Sequence, residues 1–321
     1  MRSVGDIVRA CVRSRDRTEL LAKSLESSES VSAYRIDSDD IYYLGKGGSV
    51  LHAIASAGLI GCIEGVLATG VPVDVTDSYG RSAVDVALEY TAPCYLRPPT
   101  GHGFATALLA AVPAADRASC VTRWSLCHAC RAGSVSLLDA IYGLSGGRYG
   151  IDAVPDGLGW PPLVVAARVG HVAVVEHVVG VLGGRVDACG IMGRTALMQA
   201  AWGGHGDVVG VLYAHGADVG ATARNGDKAI HWAADGGSVE VVRKLVEVGA
   251  DVEAKGEGGQ RPLHHLCRWG HVAVFEFLVR ECGVDVAAED DRGHDAAWQC
   301  DARMGAAVKE AIRGLLLVGA R

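Results

Sequence analysis

The sequence repeats itself at a fixed interval, and that interval constrains the fold more than any other feature. The stretch MGRTALMQAAWGGHGDVVGVLYAHGADV (192–219) returns, much of it unaltered, as NGDKAIHWAADGGSVEVVRKLVEVGADV (225–252). The dipeptides Gly170-His171, Gly204-His205, Gly237-Ser238 and Gly270-His271 lie 34, 33 and 33 residues apart. A second marker, Gly216-Ala217-Asp218, Gly249-Ala250-Asp251 and Gly283-Val284-Asp285, recurs at 33 and 34. Two independent markers on one period describe a stacked array in which each unit is one supersecondary element. A single core rarely grows past roughly 250–300 residues, so an array also suits a chain of 321 residues, half of them hydrophobic.

Each unit reads as two helices. The small pair Ala200-Ala201 recurs as Ala166-Ala167 and Ala233-Ala234, which lets the first helix sit close to its neighbours. Thr195 suits an N-cap, Pro162 and Pro262 suit the first helical position, and Gly204 and Gly216 suit left-handed helix ends. The second helix carries apolar residues at 208, 209, 211 and 212, a stripe at helical spacing. Neither helix alone buries its apolar face; stacked neighbours do.

A T-P-L-H-x-A helix start, a G-H turn and a G-A-D tail on this period resemble the ankyrin repeat. The matching segments are PPLVVA (161–166), TALMQA (195–200), KAIHWA (228–233) and RPLHHL (261–266), with weaker copies at SVLHAIASAG (49–58), SAVDVALEY (82–90) and WSLCHACRAG (124–133). The resemblance implies an all-α solenoid of about eight stacked antiparallel helix pairs with protruding β-turn loops, on the order of 80 Å long. It divides the chain into an N-terminal capping helix pair (1–44), divergent repeats (45–154) with a long insertion at 91–103, well-formed repeats (155–288) and a degenerate C-terminal capping repeat (289–321). The motif histidine stands only at His52, His231 and His264. Asp85, Cys127, Val164, Met198 and Trp298 replace it elsewhere, and local loosening is the expectation there.

Composition narrows the function. A net charge of −7 and the lack of a basic run with interleaved aromatics argue against nucleic-acid binding. The longest apolar run, GFATALLAAVPAA, is too short to cross a membrane. Acidic Asp6, Asp16 and Glu19 count against a mitochondrial leader in the arginine-rich start. Ten scattered cysteines, among them Cys11, Cys62, Cys130, Cys267 and Cys300 inside helical patterns, read as small hydrophobes of a reducing compartment, cytoplasmic or nuclear. No phosphate loop or nucleophile elbow is present, and no cofactor or small-molecule substrate is expected. The one chemical alternative is a metal- or thiol-dependent activity around Cys127, His128 and Cys130. Zinc needs four converging ligands and no second cysteine pair follows at a suitable distance.

The reading that remains is a non-catalytic adaptor, scaffold or inhibitor; a constitutive subunit of a larger assembly is its rival. Proteins of the family resemble one another in presenting a concave partner surface from loop tips and the exposed side of the first helix. The residues just before the helix-start motif are Arg123, Trp160, Arg194, Asp227, Gln260 and His294. Those before the G-H turn are Arg131, Arg168, Trp202, Asp235, Arg268 and Trp269, with Leu158, Ile191, Met192, Arg224 and Asn225 near the tips. Arginine and tryptophan lead binding hot spots. The predicted partner site is therefore Trp160, Arg168, Arg194, Trp202, Met192, Arg131, Arg224, Arg268 and Trp269, and its ligand an acidic, partly apolar protein segment. Trp124, Trp232 and Trp298, inside the apolar part of the helix, are expected in the core.

Overall fold

The structure, a computed structural model, describes residues 48–57, 60–68, 70–89, 101–154, 159–190, 192–298, 310, 312 and 314. The expected capping pair at 1–44 lies outside these residues, as does most of the expected C-terminal repeat. Two compact units meet between Ala153 and Val154. The first holds α1 (Val50–Ala57), α2 (Ile63–Ala68), α3 (Ala83–Glu89), α4 (Gly101–Ala111), α5 (Arg123–Ala132) and α6 (Val135–Ser145). The second holds α7 (Pro162–Val169), α8 (Val172–Gly180), α9 (Ala196–Gly203), α10 (Gly206–Ala214), α11 (Ala229–Gly236), α12 (Val239–Glu247), α13 (Pro262–Trp269) and α14 (Val272–Phe277). Among the described residues there is no strand, only an isolated antiparallel bridge between Cys189 and Thr195.

The local signals act as their chemistry dictates. Thr195 accepts a hydrogen bond from the Met198 N–H at the start of α9, and Pro162 and Pro262 open α7 and α13. Helices of odd number in the second unit form one layer and those of even number a second, each packed on its neighbours in sequence order. The buried pairs Ala166-Ala167, Ala200-Ala201 and Ala233-Ala234 let α7, α9 and α11 approach closely. In α13 the pair is Leu266-Cys267, and α13 meets α11 less extensively than α9 does.

Histidines of both motifs fasten neighbouring repeats. His205 Nε2 donates to the Arg168 carbonyl at 3.0 Å, and its ring lies where a side chain on Gly170 or Gly203 would go. His271 repeats the contact on the Asp235 carbonyl at 3.0 Å. In the helix-start motif, His52 donates to Arg81 O (3.0 Å), His231 to Ala254 O (2.9 Å) and His264 to His294 O (3.1 Å). Their Nδ1 atoms accept the backbone N–H of Ser49, Lys228 and Arg261, which only the neutral ring can do. Burial lowers the pKa of His231 and His264 and so favours that form. Substituting His205 by alanine is expected to cost about 1 kcal/mol, measurable as a lower urea midpoint with an unchanged circular dichroism spectrum.

The expectation of loosening fails at Asp85. This carboxylate is fully buried and accepts from Ser82 N (2.7 Å), Ser82 Oγ (2.9 Å), Thr122 Oγ1 (2.7 Å) and Ser125 Oγ. Thr122 caps α5, so Asp85 ties α3 to the next repeat as a motif histidine does, with the donors and acceptor exchanged. The long insertion also ends sooner than expected. Residues 91–100 lie outside the described set, but 101–103 already belong to α4, drawn in by Phe104, Ala105 and Leu108, which are buried.

Candidate partner-binding face

The C-terminal ends of α7, α9, α11 and α13 and the turns that precede them carry most of the predicted residues. At the position two before each closing glycine stand Arg168, Trp202, Asp235 and Arg268. The close approach of the helices brings side chains of successive repeats into chemically matched contacts. The Arg168 guanidinium lies 4.9 Å from the Trp160 ring and 5.2 Å from the Trp202 ring. One turn on, the Arg194 guanidinium lies 4.3 Å from the Trp232 ring. Asp235 accepts from Trp269 Nε1 at 2.8 Å and from His265 Nδ1 at 2.9 Å. Trp202 and Asp235, equivalent by repeat, thus do different work: one holds a cation and the other holds an indole.

The tips add a polar seam. The Arg224 N–H donates to the Met192 carbonyl at 3.0 Å, which sets these two turns side by side with both side chains exposed. Each turn folds back through a glycine at positive φ, Gly193 at 68° and Gly226 at 90°. Met192, Trp202 and Trp269 are 49, 43 and 60% exposed, so the face offers bare apolar surface between charges. Arg168 and Arg224 are exposed and Arg194 half-buried.

No carboxylate among the described residues pairs with Arg168, Arg194 or Arg224. Elsewhere in the same unit Arg243 pairs with Glu281 (2.9 Å), Arg261 with Glu253 (2.7 Å) and Lys244 with Asp207 (3.3 Å). Arg268 is occupied internally, donating to Gln260 Oε1 at 2.6 Å. Arg131, half-buried, belongs to the first unit. The contacts therefore join Trp160, Arg168 and Trp202 in one group, Arg194 and Trp232 in a second, and the backbones of the Met192 and Arg224 turns in a third, while Trp269 joins His265 on Asp235. Leu158 and Ile191 lie outside the described residues.

Three tryptophans depart from the core assignment. Trp232 is half-buried beneath Arg194 and Trp124 half-buried against His128 (5.9 Å). Trp298 is 50% exposed and stacks on His294 at 3.7 Å. Trp232 is thus a residue of the face that helical periodicity alone hides, because it falls within the motif.

The sequence profile described as "Ankyrin repeats (3 copies)" matches residues 126–223 and 215–290, together just over half of the chain. The chain belongs to the ankyrin-repeat family. No curated protein matches it in a sequence search. Ankyrin repeats are in general protein–protein interaction modules and typically non-catalytic. Ahead of the matched span, the His52 and Asp85 contacts link repeats in the same manner as those within it.

The cysteine cluster of the first unit is helix interior. Cys120, Cys127, His128 and Cys130 are all buried. Burial pushes the Cys120 thiol up to about 11 and the Cys127 thiol to about 12, and lowers His128 to about 3. These shifts keep the thiols protonated, whereas a nucleophile or metal ligand is a thiolate. Among the described residues no group of three or more His, Cys, Asp or Glu is placed to hold a metal ion, and no helix is long and apolar enough to cross a membrane.

Proposed function

We propose that this ankyrin array binds an acidic, partly apolar segment of a partner protein across the concave face formed by α7, α9 and α11, acting as an adaptor, scaffold or inhibitor. The observation that carries the reading is a set of three arginines with no carboxylate partner among the described residues: the guanidiniums of Arg168 and Arg194 lie over tryptophan rings, and Arg224 is exposed. In a chain of net charge −7, unneutralised arginines gathered on one side are matched by a ligand of opposite sign. Stacking on tryptophan leaves the edge of a guanidinium free for two-point recognition of a carboxylate. Trp202 and Met192 supply apolar contact, and a face built on packed helices is already ordered before binding, which lowers the cost of association. Cys62, Cys120, Cys127, Cys130 and Cys267 are buried as small hydrophobes, in keeping with a reducing compartment, cytoplasm or nucleus.

The experiment is a pull-down from native extract with the wild-type chain beside the Trp202→Ala/Arg168→Glu double variant, after matched circular dichroism. A partner held by the wild type and retained at least about tenfold less by the variant is the expected result, in line with hot-spot losses. Equal retention would remove this face from consideration.

A further inference from the structure

Two buried donors on adjacent helices have no hydrogen-bond partner among the described residues. Gln199 in α9 and Trp232 in α11 occupy equivalent positions, 33 residues apart, on adjacent and closely packed helices. Gln199 Nε2 and Trp232 Nε1 are both buried without a hydrogen-bond partner, and the Gln199 side chain belongs to a residue only 2% exposed. An indole N–H can only donate, so Trp232 Nε1 is relieved only by an acceptor. Arg194, which pairs with no carboxylate among the described residues, lies over the Trp232 ring at 4.3 Å. The residue at the same position in α13, His265, has its Nδ1 on Asp235, while its Nε2 is also buried without a hydrogen-bond partner.

Native proteins leave few buried polar atoms unbonded, and those few call for an explanation. Here Arg194, Trp232 Nε1 and Gln199 Nε2, carried on closely packed neighbouring elements, have no acceptor among the described residues. We propose that α9 and α11 form a carboxylate subsite: an Asp or Glu side chain of the bound partner segment accepts from Arg194, Trp232 Nε1 and Gln199 Nε2. This rests on the acidic-segment reading above and sharpens it. Arg168 and Arg224 attract the segment, while the subsite fixes which residue of it must be acidic. Arg194 is the gate, because its guanidinium covers the indole until a carboxylate draws it aside or engages its edge.

The test uses the full chain and an array of twelve-residue peptides in which Asp and Glu alternate with apolar residues, beside matched peptides carrying Asn and Gln. Binding is read by titration, and the Trp232 indole N–H by its proton–nitrogen correlation peak. Trp232→Phe removes the donor but keeps an aromatic surface for Arg194, and Gln199→Leu removes the other donor at similar volume. The expected result is that acidic peptides bind, that the Trp232 indole peak moves downfield, and that each variant binds the same peptide about tenfold more weakly while folding normally. Acidic peptides that bind both variants as tightly as wild type, with the Trp232 peak unmoved, would overturn the subsite but leave the acidic-segment reading standing. Failure of every acidic peptide, or equal binding of the amide series, would overturn both.

Discussion

Gly236→Ala is expected to destabilise the second unit by roughly 3 kcal/mol, near the upper end of what single substitutions cost, although helix propensity alone predicts the opposite sign. Alanine in place of glycine inside a helix stabilises it by roughly 0.5–1 kcal/mol. A Cβ on Gly236, however, would stand 2.3 Å from the Trp202 carbonyl oxygen, 2.9 Å from its carbon and 3.1 Å from the Ala201 oxygen. These are backbone atoms of α9 and cannot rotate aside. The helices must separate along the seam where their packing is tightest, so the steric term wins. Gly210 in α10 is the control: it is exposed, and nothing lies within 4 Å of its added Cβ. Gly210→Ala is expected to raise the urea midpoint and Gly236→Ala to lower it. A Gly236→Ala protein as stable as wild type would mean that the α9–α11 seam is not close-packed. At the equivalent place in α13 the chain carries Trp269, in keeping with the looser approach of that helix.

The second large effect is a pair of opposed pH dependences in the first unit. Burial raises the Asp85 carboxyl from 3.8 to about 6, against its hydrogen bonds from Ser125, Thr122 and Ser82. A raised folded-state value means stability that is present below pH 3.8 and lost as pH rises to about 6. Burial, with the charges of Arg131 and Arg81, lowers His128 from 6.5 to about 3. A depressed value means stability that is present above pH 6.5 and lost as pH falls toward 3. At 1.36 kcal/mol per pH unit, the shifts correspond to at most about 3 and about 5 kcal/mol. Between pH 4 and 6 the two slopes oppose each other, and the wild-type profile is flattened.

Single variants separate them. Asp85→Asn keeps an oxygen for the Ser82 N–H and the Ser82 and Thr122 hydroxyls and turns an amide N–H toward Ser125 Oγ, and stability should then climb more steeply from pH 4 to 6 than in wild type. His128→Leu removes a ring whose two nitrogens have no hydrogen-bond partner; stability should then fall over the same interval. Urea midpoints at pH 4, 5 and 6 for the three proteins check this, and parallel profiles would refute both assignments. Asp85→Ala, which strands the three hydroxyls and the Ser82 N–H, is expected to cost about 2–3 kcal/mol at neutral pH.

The period, the capping residues and the small helix pairs were legible along the chain because they are local. Thr195, Pro162 and Gly204 act on backbone groups within a few residues of themselves, and a stacked array repeats that local solution. The ends of the predicted face were legible for the same reason: Trp202, Arg168 and Arg194 sit at fixed offsets from Gly204, Gly170 and Thr195. What the offsets do not contain is which neighbour each side chain meets one repeat away. Asp85 reads as a lost histidine until Thr122 and Ser125 are set against it. Trp232 reads as core until Arg194 lies over it, and Gln199 reads as a neutral helix residue until its amide proves to have no acceptor. Those outcomes depend on contacts between residues about 30–40 positions apart, whose spacing is set by how closely the helices approach. Sequence alone determined that this protein is a stack of helix pairs and where its exposed ends lie. Packing between repeats decided which charges are neutralised, which have no carboxylate partner among the described residues, and which buried donors have no acceptor there.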